Sequence, residues 1–315
     1  MLARAVSLGF YEYGYTEEAI KLTEENRDLL KSLEPIVEEK VRSGGEINAL
    51  LRLKVEIGRI DDRLQSLSQK RVVQSAKLSE LMALPETELL AWPKWEKPAA
   101  VTPNGASLAR AIRASNPELQ MLERKIASAA ARRELARLES YPDVTLGINY
   151  IQLGSPEVNP TTPDAGKDPW GVTLAVNIPI WREKYSAARA EALASQRANE
   201  NEYTDRFNAL RAELSASLAL LKDANRRLTL YGEELLGLAQ QAVENSQASY
   251  EGGQTGILEV IDSERSLLDL QLLYWRAAAD AWQQRVIIRT LANQPILDSF
   301  QATEMDASQS NSHIK

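Results

Sequence analysis

The chain has 315 residues, of which 44% are hydrophobic and 26% charged, enough apolar material for one or two ordinary domains and too much for a disordered polymer. A net charge of −7 and a pI near 5.1 argue against nucleic acid as a partner. The lack of cysteine excludes disulfides and cysteine-based metal centres. A single histidine, His313, lying in a polar tail, removes histidine-dependent catalysis and histidine metal sites.

From the start, residues 1–43 carry a helical pattern that is polar on most faces, with Pro35 as an expected kink. Met1–Ser7 lead straight into this charged sequence without the apolar core of a signal peptide. Gly44-Gly45 break the helix, and residues 46–84 form a second one, seamed by Ile47, Leu50, Leu53, Ile57, Ile60, Leu64 and Leu67 at steps of three and four. Residues 1–84 are therefore a helical hairpin. Residues 85–105 hold Trp92, Trp95 and several prolines without a usable period, and read as a connector. A third helix is expected over 106–140, with Asn116 as a candidate cap and Pro117 tolerated in a first turn or marking a kink.

The pattern then changes period. Over 143–154, Val144, Leu146, Ile148 and Tyr150 alternate with Thr145, Gly147 and Asn149. Over 170–181, Trp170, Val172, Leu174, Val176, Ile178 and Ile180 alternate with small or polar residues. Residues 155–169, rich in proline, aspartate and glycine, form a long exposed loop. Each strand approaches the roughly 9–11 tilted residues that cross a bilayer in a β-barrel. Two strands cannot close a barrel, so either further copies supply the rest or the hairpin packs on a soluble core.

From Arg182 to Glu251 there is no proline, and Leu210, Leu214, Leu221, Ala224, Leu228, Tyr231, Leu235, Leu238 and Ala242 trace a coiled-coil seam. One helix over 182–251 would span about 100 Å. After Gly252, Gly253 and Gly256, a last helix is expected over 256–293, seamed by Ile261, Leu268, Leu272, Trp275, Ala279, Trp282 and Val286, with a disordered tail over 295–315. No apolar run reaches the roughly 18 residues of a transmembrane helix. The fold class read from the pattern is mainly α, with long coiled-coil helical hairpins joined to one β-hairpin. The helices join both strands at the ends away from the loop, so they lie on one side of any membrane and the loop on the other.

An internal repeat is also present. A shift of 208 positions pairs Gly45 with Gly253, Leu50 with Leu258, Leu53 with Ile261, Glu56 with Glu264, Ile60 with Leu268 and Leu64 with Leu272. Residues 106–294 are then a second repeat and residues 1–84 the latter part of a first.

Asn116-Pro-Glu-Leu119, Tyr141-Pro-Asp-Val144, Val176-Asn-Ile-Pro-Ile-Trp181, Tyr250-Glu-Gly-Gly253 and Ile257-Leu-Glu-Val-Ile-Asp262, in this order and at these separations, resemble the second repeat of TolC-like outer membrane efflux proteins. In that family three protomers build one transmembrane β-barrel in the outer membrane, each giving two strand hairpins, and long helices continue as a periplasmic tunnel. The resemblance implies a homotrimer and a passive exit duct without cofactor, metal or enzymatic activity. Substrates would arrive from an inner-membrane pump through a periplasmic adaptor. It also implies that the chain lacks the first helix and first strand pair of the family pattern.

Site residues follow from the same resemblance. Glu259 and Asp262, three apart on one helix face, match the acidic positions of the periplasmic gate, where a trimer would stack them into carboxylate rings. Acidic residues near a helix start also suit its dipole. Gly44, Gly45, Glu46, Gly252, Gly253 and Gln254 match the helix turns that face the adaptor. Thr255 stands where some relatives have a basic residue that clamps the closed state. Tyr141, Trp170 and Trp181 fall at strand ends, where amphipathic rings favour the lipid–water interface. A periplasmic adaptor would need many more strands, and a coiled-coil scaffold would explain the helices but not the alternating hairpin.

Overall fold

The structure is a computed structural model that describes residues 2–85, 89–99, 103–153 and 167–295. In chain order it contains α1 (Leu2–Arg42), α2 (Ile47–Met82), α3 (Gly105–Ser115), α4 (Pro117–Leu138), β1 (Asp143–Tyr150), β2 (Trp170–Asn177), α5 (Arg182–Thr229), a π-helical turn (Leu230–Leu235), α6 (Leu236–Glu251) and α7 (Ile257–Leu291). These form two compact units, residues 1–116 with 209–315 and residues 117–208.

The first unit is a set of antiparallel helices. α1 continues unbroken through Pro35, whose ring sits on an exposed position. Its core near the two glycine turns joins Leu30, Val37, Leu53, Ile57 and Ile60 of the first hairpin to Tyr250, Ile257, Val260 and Ile261 of the second. A smaller cluster of Ala19, Leu268 and Leu272 continues the seam. Ile47, placed on the seam by periodicity, is exposed, because the first turn of α2 lies beyond the end of the packed face.

Residues 89–99 of the connector are held by polar contacts in place of regular structure. Tyr13 donates to the Leu90 carbonyl at 2.7 Å, Leu90 N–H donates to Ser75 Oγ at 2.8 Å, and Trp282 Nε1 donates to the Glu96 carbonyl at 2.8 Å. The Trp95 ring lies against Tyr11 and Trp275. It also covers Gly14, where a Cβ would come within 2.6 Å of the indole nitrogen, so the close approach needs glycine.

The single helix expected over 106–140 is two helices. Asn116 takes an extended conformation (φ −67°, ψ 122°), as the residue before a proline is driven to do, and Pro117 opens α4. Asn104 caps α3 by accepting from Ala106 N and Ser107 N. The Asn116 side chain is buried and donates to the Leu291 carbonyl at 3.0 Å, while Ser115 Oγ donates to the Ala292 carbonyl at 3.0 Å, so this corner is tied to the end of α7.

The helix expected over 182–251 is continuous but not uniformly α. At Leu230–Leu235 the hydrogen bonds widen, the Leu236 N–H reaching back to the Tyr231 carbonyl. Upstream, Leu210, Leu214, Ser217, Leu221 and Ala224 are buried in heptad spacing; downstream the buried residues are Val243, Ser246 and Tyr250. Each lies one residue later than the seam extrapolated from sequence, so Leu238 and Ala242 are exposed. One extra residue has been absorbed in the π turn.

In the second unit, Arg206 Nε donates to Glu118 at 2.5 Å and Lys125 pairs with Glu202 at 3.4 Å, linking α4 to the first part of α5. The strands are shorter than expected. The last pair is Asp143 with Asn177; the next would pair Pro142 with Ile178, and Pro142 and Pro179 both lack an N–H. At the loop end one bond continues beyond the strands, Ile151 N to the Pro169 carbonyl at 3.0 Å. The expected loop is described only over 167–169, and the tail expectation, apart from Pro295, lies outside the described residues.

Candidate functional site

Two places carry the sequence-derived site residues: the β-hairpin and the pair of helix turns. β1 and β2 are antiparallel, and among the described residues they form the whole sheet. Their register pairs Val144 with Val176, Leu146 with Leu174, Ile148 with Val172 and Tyr150 with Trp170. All eight therefore share one face, and each is more than half exposed. The opposite face pairs Thr145 with Ala175, Gly147 with Thr173 and Asn149 with Gly171. Sequence periodicity gave a greasy face on each strand; the register makes it one surface. Beyond the strand ends Ile178, Ile180 and Trp181 remain exposed, as do Ile151 and Leu153. Tyr141, Trp170 and Trp181 are each more than half exposed at the extremities of this surface. Asp168 accepts from the Tyr150 hydroxyl and, at 2.8 Å, from Leu153 N–H, pinning the base of the loop.

The two helix turns are built alike. α1 ends with Gly44 at φ 97°, Gly45 N–H bonding the Lys40 carbonyl at 2.9 Å and Gly44 N–H the Val41 carbonyl at 3.1 Å. α6 ends with Gly253 at φ 70°, Gln254 N–H bonding the Ser249 carbonyl at 2.9 Å and Gly253 N–H the Tyr250 carbonyl at 3.1 Å. Both are left-handed helix stops of the kind that glycine permits. The equivalent glycines are Gly44 and Gly253, so the pairing of Gly45 with Gly253 read from the repeat is one residue off at the turn. The second turn is also longer by one residue before its next helix begins. Glu46, Gln254 and Gly252 are exposed there.

Glu259 and Asp262 are exposed in the first turns of α7. They line one shallow cavity of about 440 Å³ with Ala239, Ala242, Ser263 and Ser266. Asp262 accepts from Arg265 at 3.3 Å, and the same guanidinium donates to Glu56 of α2 at 2.6 Å and 3.2 Å. Sequence reasoning missed Arg265, although its place three residues beyond Asp262 was a signal for an intrahelical pair. It also missed Lys40, whose ammonium lies 3.6 Å above the Tyr250 ring and donates to the Tyr250 carbonyl at 3.1 Å, joining the two turns. Thr255 lines a larger cavity of about 900 Å³ beside this contact, with Val37, Lys40 and Ile257. Among the described residues no helix is long and apolar enough to cross a membrane, and no group of three acidic or histidine side chains could hold a metal ion.

Comparison with known proteins agrees with this geometry. The chain is 25% identical over 194 residues to the cation efflux system protein CusC of Escherichia coli O157:H7, a match covering 57% of this chain and 42% of that protein. It thus spans less than half the length of that relative. Its fold is that of the outer-membrane channel OprN (TM-score 0.79, 16% identity, 94% of this chain and 66% of that one). It is equally close to VceC of Vibrio cholerae (TM-score 0.79, 14% identity, 94% and 70%). The open-state MtrE channel of Neisseria gonorrhoeae also matches (TM-score 0.76, 17% identity, 94% and 66%). The family model for outer membrane efflux proteins matches residues 108–294, more than half of the sequence, and the chain belongs to that family.

Proposed function

We propose that the protein is the outer membrane exit duct of a tripartite efflux or secretion system, without enzymatic activity, working as a homotrimer. In this reading the β-hairpin joins others in a transmembrane barrel and the helices extend into the periplasm as a tunnel. Residues 1–84 act as part of a first repeat, 85–105 as the connector and 106–294 as the second repeat. Tyr141, Trp170 and Trp181 lie at the membrane interfaces. Gly44, Gly45, Glu46, Gly252, Gly253 and Gln254 meet a periplasmic adaptor, which delivers substrate from an inner-membrane pump. Glu259 and Asp262 form the gate.

The observation that carries the reading is the register that merges two alternating strands into one exposed apolar face backed by a small, polar one. That is what a barrel wall between lipid and water requires. The exposed stripe Ile47, Leu51 and Val55, four residues apart on α2, supports contact with a neighbouring protomer.

Carboxylates repeated around a narrow aqueous aperture attract cations and repel anions. Replacing Glu259 and Asp262 by alanine should therefore weaken cation preference in the trimer reconstituted in a planar bilayer, read as the reversal potential in a salt gradient. Because Arg265 already holds Asp262, Glu259→Ala alone should produce the larger part of the change. An unchanged reversal potential in the double variant would reduce the pair to a solvated helix start.

A further inference from the structure

Several polar contacts cross the seam between the two helical hairpins. Arg276 meets Glu12 at 2.6 Å, Arg265 meets Glu56 at 2.6 Å and Lys40 meets the Tyr250 carbonyl at 3.1 Å, each bringing a cation to an acceptor. One buried carboxylate in the seam has no cation at hydrogen-bond distance among the described residues. Glu264 of α7, only 4% exposed, accepts from Asn26 Nδ2 of α1 at 3.3 Å and from Gln247 Nε2 of α6 at 3.0 Å. Asn26 is itself buried. Glu56, which the sequence repeat pairs with Glu264, is buried as well, and of the two only Glu56 is met by a cation.

The charged side chains around Glu264 are turned elsewhere. On α7, Arg265 is committed to Glu56 and Asp262, and Asp269 to Arg63. On α2, Arg59 pairs with Glu56 and Asp61 with Lys31. On α1, Arg27 pairs with Asp28, and on α6, Glu244 accepts from Gln240. Burial pushes the Glu264 carboxyl above the usual carboxylate range, and the amide donors Gln247 and Asn26 offset this only in part.

We propose that Glu264 is a proton-binding site that couples separation of the two helical hairpins to pH. Gln247 and Glu264 travel together on the second hairpin, so separation breaks the Asn26 contact and wets the carboxyl. The packed seam holds the proton more tightly than the parted one. Acid therefore favours the packed form, and rising pH favours parting. The response begins above the ordinary carboxyl value, below which both forms are protonated, and is complete above the raised one. Each unit of elevation changes the ratio of parted to packed forms by up to about tenfold. The consequence for transport rests on the duct reading above; the linkage itself does not.

The chain has no cysteine, so spin labels can be placed at the two exposed turns through Ser43→Cys and Gln254→Cys. Pulsed electron resonance on the detergent-extracted protein should show the longer turn-to-turn distance gaining population as pH rises from about 4.5, the ordinary carboxyl value, towards neutrality. Glu264→Gln, neutral throughout, should abolish that response and hold the short distance. Asn26→Asp, which adds a second carboxyl beside the first, should move the midpoint to higher pH. A distance independent of pH overturns the proposal. So does a Glu264→Gln protein that titrates like the parent, or, where that variant fails to fold, an Asn26→Asp midpoint that does not move. Glu264 is buried away from any aperture, so Glu264→Gln should leave the reversal potential unchanged; failure of the charge-ring experiment is thereby separable from failure of this one.

Discussion

Glu12 and Glu264 lie in the same seam and titrate in opposite senses. Burial pushes Glu12 up, but hydrogen bonds from Lys70 at 2.8 Å and Arg276 at 2.6 Å outweigh it and hold the carboxyl below its usual range. A carboxyl with a depressed value in the folded state adds stability that is present above its unfolded value and lost as pH falls through the folded one. Glu12→Gln should therefore cost about 1–2 kcal/mol in urea unfolding at pH 7, less than a fully buried pair because the groups are partly exposed. The difference should shrink below about pH 4. An equal loss at both pH values would mean that Glu12 acts through packing alone. Neither role was legible in the sequence, where Glu12 carried no signal and Glu264 stood out only as the repeat counterpart of Glu56. What sets them apart is a partner 264 positions away in one case and the lack of a cation in the other. Glu259 and Asp262 were legible as a pair because their partnership is local, three residues along one helix.

At the scale of elements, periodicity gave the helices, the period-two strands and both glycine turns, since these are set by neighbours in sequence. It failed where a long-range fit overrides a local repeat. The seam through Leu238 and Ala242 was extrapolated from a correct start at Leu210, and the structure moves it to Val243, Ser246 and Tyr250 through the π turn. Within that turn Gly232 lies so close to Tyr274 that a Cβ would come within 2.8 Å of the ring. A π turn is one residue inserted into an α-helix, so deleting exposed Glu234 should restore regular α geometry without rotating α6. Its melting temperature should fall by no more than a few degrees, the scale of about 1 kcal/mol in a chain of this size. Deleting exposed Glu244, beyond the turn, should instead turn Ser246 and Tyr250 off the seam by about 100°. That variant should lose cooperative unfolding. If both deletions behave alike, the π turn is not what sets the register of α6.

For the molecule as a whole, the sheet poses the demand that assembly must meet. Among the described residues each strand has one neighbouring strand, leaving the N–H and C=O groups on the far side of both without a strand partner. Lipid offers such groups no partner, so the hairpin can enter a membrane only beside further strands. Which face then meets lipid follows from the register. Leu146 and Leu174 face each other at the centre of the apolar side, whereas Thr173 pairs with Gly147 on the other. An arginine on the lipid side near mid-membrane costs about 2–4 kcal/mol, and in a symmetric assembly that cost recurs in every protomer. One on the inner side meets water. On the proposed barrel reading, Leu146→Arg and Leu174→Arg should therefore each abolish the detergent-resistant oligomer recovered from outer membranes, while Thr173→Arg should leave its yield intact and change only conductance. Equal loss in all three would place both faces against protein, the arrangement of a hairpin on a soluble core. Equal survival would mean that the exposed apolar face meets neither lipid nor a partner, which eight more-than-half-exposed apolar and aromatic side chains in register make costly to sustain in water.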